Sequence, residues 1–157
     1  MAFDKAKDYL AGYGLADRII VTEHSSATVT AAADAIGCEP AMIAKTLSFL
    51  QGEVPVLILA DGMARIDNHK YKQAFSCKAK MIPAEQVESL IGHDIGGVCP
   101  FGINEGVKVY LDESLRRHEI VYPAVGSDHS GVMLTIPELE QCSGYTDWVD
   151  VCKEQGE

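Results

Sequence analysis

Long apolar stretches are missing from this chain of 157 residues. The longest, residues 54–60, has seven residues counting its proline, against the ~20 that a spanning helix needs, so no membrane partner is expected. Basic charge is scarce as well: 13 lysines and arginines stand against 23 acids, for a formal net charge of −10. Phosphate neutralisation supplies most nucleic-acid affinity, so such a surface does not grip a long polyanion, and a free DNA binder is excluded. A single terminal nucleotide held locally, or a nucleic acid presented by a partner, stays open. Paired cysteines are absent. Cys38, Cys77, Cys99, Cys142 and Cys152 are odd in number and form no C-x-x-C, which argues against a disulfide framework or zinc ribbon and for free thiols in a reducing compartment. His24, His69, His93, His118 and His129 fall in no H-x-x-x-H or H-E-x-x-H pattern, so no metal and no cofactor are expected. Low complexity, internal repeats and Pro/Gly/Ser-rich linkers are also missing. Residues 1–4 include Asp4 and no basic stretch, so no signal peptide is expected and a cytoplasmic setting follows.

What is present suits one globular domain over residues 1–157, with 47% hydrophobic and 23% charged residues. Apolar positions 3, 6, 10 and 13 predict a first helix, and residues 18–22 a short β-branched strand. Ser26 or Thr28 can cap a helix that ends at Gly37, and Pro40 opens a further helical turn. Residues 45–50 and 54–59, with a glycine-containing turn between them, predict a β-hairpin. Helices are predicted over 65–74, 83–91 and 137–142. Strands are predicted over 107–111, 120–125, 132–136 and, last, 148–151, with a turn or short helix from Asp112. Hairpins interspersed with helices favour an α+β or mixed-sheet fold over a purely parallel one.

Three pieces carry possible chemistry. Lys45 interrupts an apolar stretch at the start of a strand. It either snorkels its ammonium to water or presents a cation to a carbonyl or phosphate. The loop Gly96, Gly97, Val98, Cys99, Pro100, Phe101, Gly102 is either a tight connection or a set of closely approachable N–H donors. It is neither a Walker A loop nor a dinucleotide fingerprint. Cys99 with His93 or His129 as base suggests a thiol hydrolase, and a small buried cysteine is the alternative. The turn containing Gly126, Ser127 and Ser130 is a plain loop between strands or a hydroxyl-rich pocket mouth. It lacks the G-x-S-x-G elbow of a serine hydrolase.

Taken in order, Glu23-His24, Ala44-Lys45-Thr46-Leu47, the strand at 55–59, Arg65-Ile66-Asp67, Ile91-Gly92 with the loop from Gly96 to Gly102, the stretch 109–115, and Gly126-Ser127 with Leu134-Thr135 resemble the YbaK/EbsC family. These are free-standing relatives of the editing domain of bacterial prolyl-tRNA synthetases. The resemblance runs over about residues 22–151. It implies an α/β (α+β) domain on a curved, mixed and mostly antiparallel sheet, a partial barrel surrounded by helices. It implies an aminoacyl-tRNA deacylase that removes a wrong amino acid, cysteine or alanine, from proline tRNA, with prolyl-tRNA synthetase as a partner. Lys45 falls on the family's functional lysine, and Gly96, Gly97, Val98, Cys99 and Pro100 on its substrate loop. Phe101, Gly102, Gly126, Ser127 and Ser130 complete the expected binding set. No catalytic dyad is visible, which fits water positioned by the substrate's own 2′-hydroxyl. Phe49, Met63 and Val98 are expected to shape a pocket for small amino acids. The alternative is a non-catalytic module that binds a tRNA 3′ end or a nucleotide beside a synthetase.

Overall fold

The structure is a computed structural model that describes residues 2–23, 28–94 and 96–154. In chain order the helices and strands are α1 (Ala2–Ala11), β1 (Ile19–Val21), α2 (Val29–Ile36), β2 (Ile43–Gln51), β3 (Val54–Asp61), β4 (Ala64–Ile66), α3 (Asn68–Phe75), α4 (Ala84–Ile91), β5 (Lys108–Asp112), β6 (Ile120–Pro123), β7 (Ser130–Val132), β8 (Leu134–Thr135), α5 (Ile136–Cys142), β9 (Asp147–Val149) and β10 (Cys152–Glu154). Six strands in the order β8-β6-β2-β3-β5-β9 make a curled mixed sheet, a half-barrel, and β1-β7 and β4-β10 form two small ribbons.

The hairpin of β2 and β3 is the spine, in register from Ala44↔Asp61 to Gln51↔Val54. Alternation along β3 sends Leu57 and Leu59 to one face and Val56, Ile58 and Ala60 to the other, all fully buried in two separate apolar clusters. Each large side chain so buried contributes roughly 1.5–3 kcal/mol. Pro55 is tolerated because the parallel ladder with β5 begins only at Val56↔Lys108, so the missing N–H leaves no ladder bond unmade.

The expected mixed, partial-barrel α/β fold is observed. Among the described strands, four pairings are antiparallel and three parallel. The parallel ones concentrate in the six-stranded sheet, because the chain between β3 and β5 carries α3 and α4 as a long crossover. Thr28 caps α2 through Ala31 N at 3.1 Å and Gly37 ends it in the left-handed region, while Ser26, the other predicted cap, and His24 lie outside the described residues.

Three predicted regions need correction. Residues 64–66 are strand, not helix, and α3 starts at Asn68 because Asp67 accepts from His69 N and Lys70 N. The predicted last strand at 148–151 is β9 ending at Val149, after which the chain turns to place β10 against β4, with Cys152↔Ile66 in register. The turn expected over 126–131 gives way to strand at Ser130, and the single strand expected over 132–136 is split between β7 and β8 and yields to α5 at Ile136. Leu134 and Thr135 pair with β6, whereas residues 130–132 are drawn to β1.

Candidate functional site

A cavity of about 350 Å³ opens where the outer edge of β2 is left uncovered. The ladder with β6 ends at Ala44↔Pro123, and pairing resumes at Ile82 N–Ser48 O (3.1 Å) and Leu50 N–Lys80 O (2.8 Å). Between them, residues 45–47 have no strand partner on that edge among the described residues. Ser48 and Leu50 turn their main-chain groups outward, and the alternation of an antiparallel ladder turns those of Thr46 the same way. Strand backbone therefore lines the cavity. The buried Thr46 Oγ1 has no hydrogen-bond partner. Helices α2 and α4 supply small apolar walls, Ala32, Val29, Ala84 and Val87 among them.

Lys45 lines the cavity, and its ammonium donates to the carbonyl of Ala64 on β4. Burial lowers its pKa, and the neighbouring Cys152 and Asp61 oppose the shift. Asp61 is itself buried, accepting from Met63 N at 2.7 Å and standing 2.7 Å from His118 Nε2. An ammonium carries three donors, and the bond to Ala64, which does not itself line the cavity, uses one of them.

Opposite β2 stand two loops locked together. A Cβ on Gly97 would fall 2.5 Å from Gly126 C and Ser127 N, so only glycine permits this approach. Gly126, at φ +73°, packs in turn against the carbonyl of Ala2 on α1, and Gly102 against that of Lys5. The consequence is a division of labour within the predicted set. Gly96, Val98, Ser127 and Ser130 line the cavity with Lys45. Gly97, Cys99, Pro100, Phe101, Gly102 and Gly126 do not, and they form the rear of the loops, with Cys99, Pro100 and Phe101 buried. Ser127 Oγ and Ser130 Oγ are hydrogen-bonded at 2.8 Å.

Cys99 does meet a histidine, yet the pair is arranged against nucleophilic chemistry. Its Sγ lies 3.5 Å from His93 Nε2, but the same nitrogen is 2.6 Å from the Phe101 carbonyl and so must be the protonated one. It cannot then accept the thiol proton. Burial pushes the Cys99 thiol up to about 12, with the Phe101 and Gly126 backbones acting weakly the other way. His93 is wholly buried and its Nδ1 has no partner, so a second proton there would be an unpaired buried donor. Desolvation accordingly lowers its pKa, with the Phe101 carbonyl opposing. The pair staples the rear of the loop.

Of the side chains expected to shape the pocket, only Val98 does so. Phe49 lies too far along β2, past the end of the uncovered edge, and is buried in the second apolar cluster with its ring 5.1 Å from that of Tyr71. Met63 is 42% exposed on the turn after β3. Thr46 and Asp128 also line the cavity, and neither stands out in the sequence as an individual residue. Thr46 is hidden inside the Lys-Thr-Leu step, and Asp128 has the composition of an ordinary turn former. All five cysteines are free thiols. No three His, Cys, Asp or Glu side chains gather as a metal set among the described residues, and no helix among them is long and apolar enough to cross a membrane.

Comparison with known proteins places the chain among relatives. A family model described as an aminoacyl-tRNA editing domain matches residues 23–142. The uncharacterized protein YwhH of Bacillus subtilis (strain 168) is 43% identical over 155 residues, 98% of this chain and 99% of that protein. A proline–tRNA ligase of Levilactobacillus brevis is 23% identical over 144 residues, 82% of this chain but only 25% of the ligase. The chain thus spans about a quarter of that enzyme. A crystal structure of a proposed trans-editing enzyme for prolyl-tRNA synthetase superimposes with a TM-score of 0.87 at 28% identity, covering 97% of each chain.

Proposed function

The chain belongs to the aminoacyl-tRNA editing domain family, and from that premise we propose that it works, as a single domain, as an aminoacyl-tRNA deacylase. Its substrate is the ester between a small amino acid, cysteine or alanine, and the 3′ end of proline tRNA, released from or presented by prolyl-tRNA synthetase. The observation that carries the reading is the cavity itself: small apolar walls, a cation at one side, and an uncovered strand edge beside a glycine loop. Its volume of about 350 Å³ suits an aminoacyl group with part of its ribose rather than folded nucleic acid.

The chemistry asked of these residues is modest. An aminoacyl ester is already activated, so hydrolysis needs a positioned water and donors for the developing oxyanion. Lys45 would hold the terminal phosphate or the ester carbonyl. Main-chain N–H groups at Thr46, Gly96 and Val98 would serve as further donors, and the substrate's 2′-hydroxyl would orient the water. Ser127 and Ser130 would contact the sugar. A high-pKa, buried Cys99 fits a mechanism without a covalent intermediate. Small walls would exclude larger side chains by contact. Discrimination by one methylene is worth only ~1–3 kcal/mol, which is why a hydrolytic second site is useful to a synthetase at all.

The test is a deacylation time course on proline tRNA charged with cysteine, alanine, serine or proline, for wild type and Lys45→Ala. The expected result is release of the small non-cognate amino acids by the wild type and a loss of ~10²–10³ in rate for the variant. Binding of charged tRNA with no release of any amino acid would replace this reading with that of a non-catalytic 3′-end-binding module.

A further inference from the structure

Among the described residues that line the cavity, two are charged: Lys45 and Asp128. Asp128 follows Ser127 in the turn before β7. A Cβ added to Gly96 would lie 3.5 Å from the Asp128 Cβ, so this acid stands at the cavity wall beside the glycine loop. Its Oδ1 is 3.1 Å from His129 Nδ1, and a carboxylate accepts more hydrogen bonds than this one. The rest of the lining is aliphatic or small, apart from the hydroxyls of Thr28, Thr46, Ser48, Tyr122, Ser127 and Ser130.

An aminoacyl ester on a nucleotide is a doubly charged ligand. It carries an ammonium on the α-carbon and a phosphodiester anion on the far side of the ribose. An ammonium brought against aliphatic walls loses hydration and needs a counter-charge nearby. The two charged lining residues, Asp128 with its side chain 46% exposed and Lys45 with its ammonium bonded to the Ala64 carbonyl, are opposite in sign to that pair of charges. We propose that Asp128 determines specificity by recognising the free α-ammonium of the aminoacyl ester, so that the site takes aminoacyl esters and discriminates against esters whose amino group is acylated, as in peptidyl or N-formylated forms. The inference rests on the deacylase reading and deepens it, since it names the part of the substrate that the acid reads.

The experiment compares alanyl-tRNA with N-acetyl-alanyl-tRNA, measuring kcat/KM for wild type, Asp128→Asn and Asp128→Glu. A charge-assisted hydrogen bond predicts that Asp128→Asn loses ~10–100-fold on the free-amine ester and little on the acetylated one, so that the preference collapses. Asp128→Glu keeps the charge and is expected to restore part of the preference. A merely structural role would lower both substrates alike, and an equal loss on both, or an unchanged ratio, overturns the inference. A second arm separates it from the deacylase reading: binding of 3′-alanylamino-3′-deoxyadenosine, which is not hydrolysed as an ester, and of its N-acetyl derivative. An amine preference in the wild type that disappears in Asp128→Asn supports the assignment even if neither ester is cleaved, in which case only the deacylase reading falls. Cleavage of both esters, or binding of both analogues, without amine preference refutes the role of Asp128 and leaves the deacylase reading standing.

Discussion

One methyl group at Gly97 is expected to drive two loops apart. The added Cβ of Gly97→Ala would stand 2.5 Å from Gly126 C and Ser127 N and 2.7 Å from Gly126 O. Carbon contacts settle at ~3.5–4.0 Å, and all three obstacles are backbone atoms that no rotamer change can move, so the loops must separate by ~1 Å. Gly97 does not adopt a positive φ, which isolates the clash from backbone strain. At Gly126, where φ is +73°, the two effects would be mixed. Overpacking of this kind destabilises by ~1–3 kcal/mol, and at ~2–4 °C per kcal/mol for a chain of this size the melting temperature should drop by roughly 2–12 °C. Activity should suffer more than stability. The cavity wall is shared between Gly96 and Val98 on one loop and Ser127 and Ser130 on the other, and a displacement of ~1 Å in a positioned site costs ~10²-fold in rate. Thermal unfolding of the variant, with kcat/KM on alanyl-tRNA measured well below its melting temperature, reads both quantities. A folded Gly97→Ala with wild-type melting and wild-type kcat/KM would refute the claim that loop contact sets the site geometry.

Two further outcomes follow from the buried staple. His93 has a lowered pKa in the folded state, so below about 6.5 the unfolded chain takes up a proton that the folded one refuses. Stability is therefore complete above that pH and falls as the pH drops toward the folded-state pKa, at no more than ~1.4 kcal/mol per pH unit from this group. Denaturant unfolding across this range should show a shallower slope for His93→Gln, whose amide can still donate to the Phe101 carbonyl, and identical slopes would remove His93 as the source. Cys99→Ala should retain activity within a few-fold, because the thiol is buried away from the cavity wall. An inactive yet folded variant, with an aminoacyl-thioester trapped on the wild type, would return the mechanism to the thiol.

The fold is legible in the sequence where local pattern and tertiary burial agree. Residues 56–60 are apolar on both faces because both faces are covered, and the hairpin turn advertises itself through Gly52. The failures include the three-residue strands β4 and β10, whose existence depends on each other across more than half of the chain length, and β7, which pairs with β1 inside what reads as a turn. Asp67 as a cap three residues past Ala64 is the local signal for where α3 begins. In the site, Lys45 stands out as a lone cation in an apolar run. The uncovered edge at 45–47 does not, since it is defined by where β6 departs and where residues 80–82 arrive. For Cys99 the sequence offers His93 and His129 alike as partners, and only the structure selects His93, six positions away. The two residues lie in an irregular loop where no helix or strand period applies, and the hydrogen-bonding direction that disarms the pair depends on the Phe101 carbonyl.

An uncovered stretch of strand is ordinarily a hazard, because its unpaired N–H and C=O groups form a template on which another chain can add itself. Here the exposed run is three residues long, bounded by Pro123 of β6 on one side and by the bridge Phe49↔Met81 on the other. A typical strand of ~5–6 residues cannot lie down in so short a window without colliding with one boundary or the other. The interruption therefore admits a small ligand that needs one or two main-chain partners and turns away a polypeptide that needs a ladder. Lengthening it, by loosening residues 80–82 from β2, would be expected to make the protein prone to self-association before it made the cavity more accessible to its ligand.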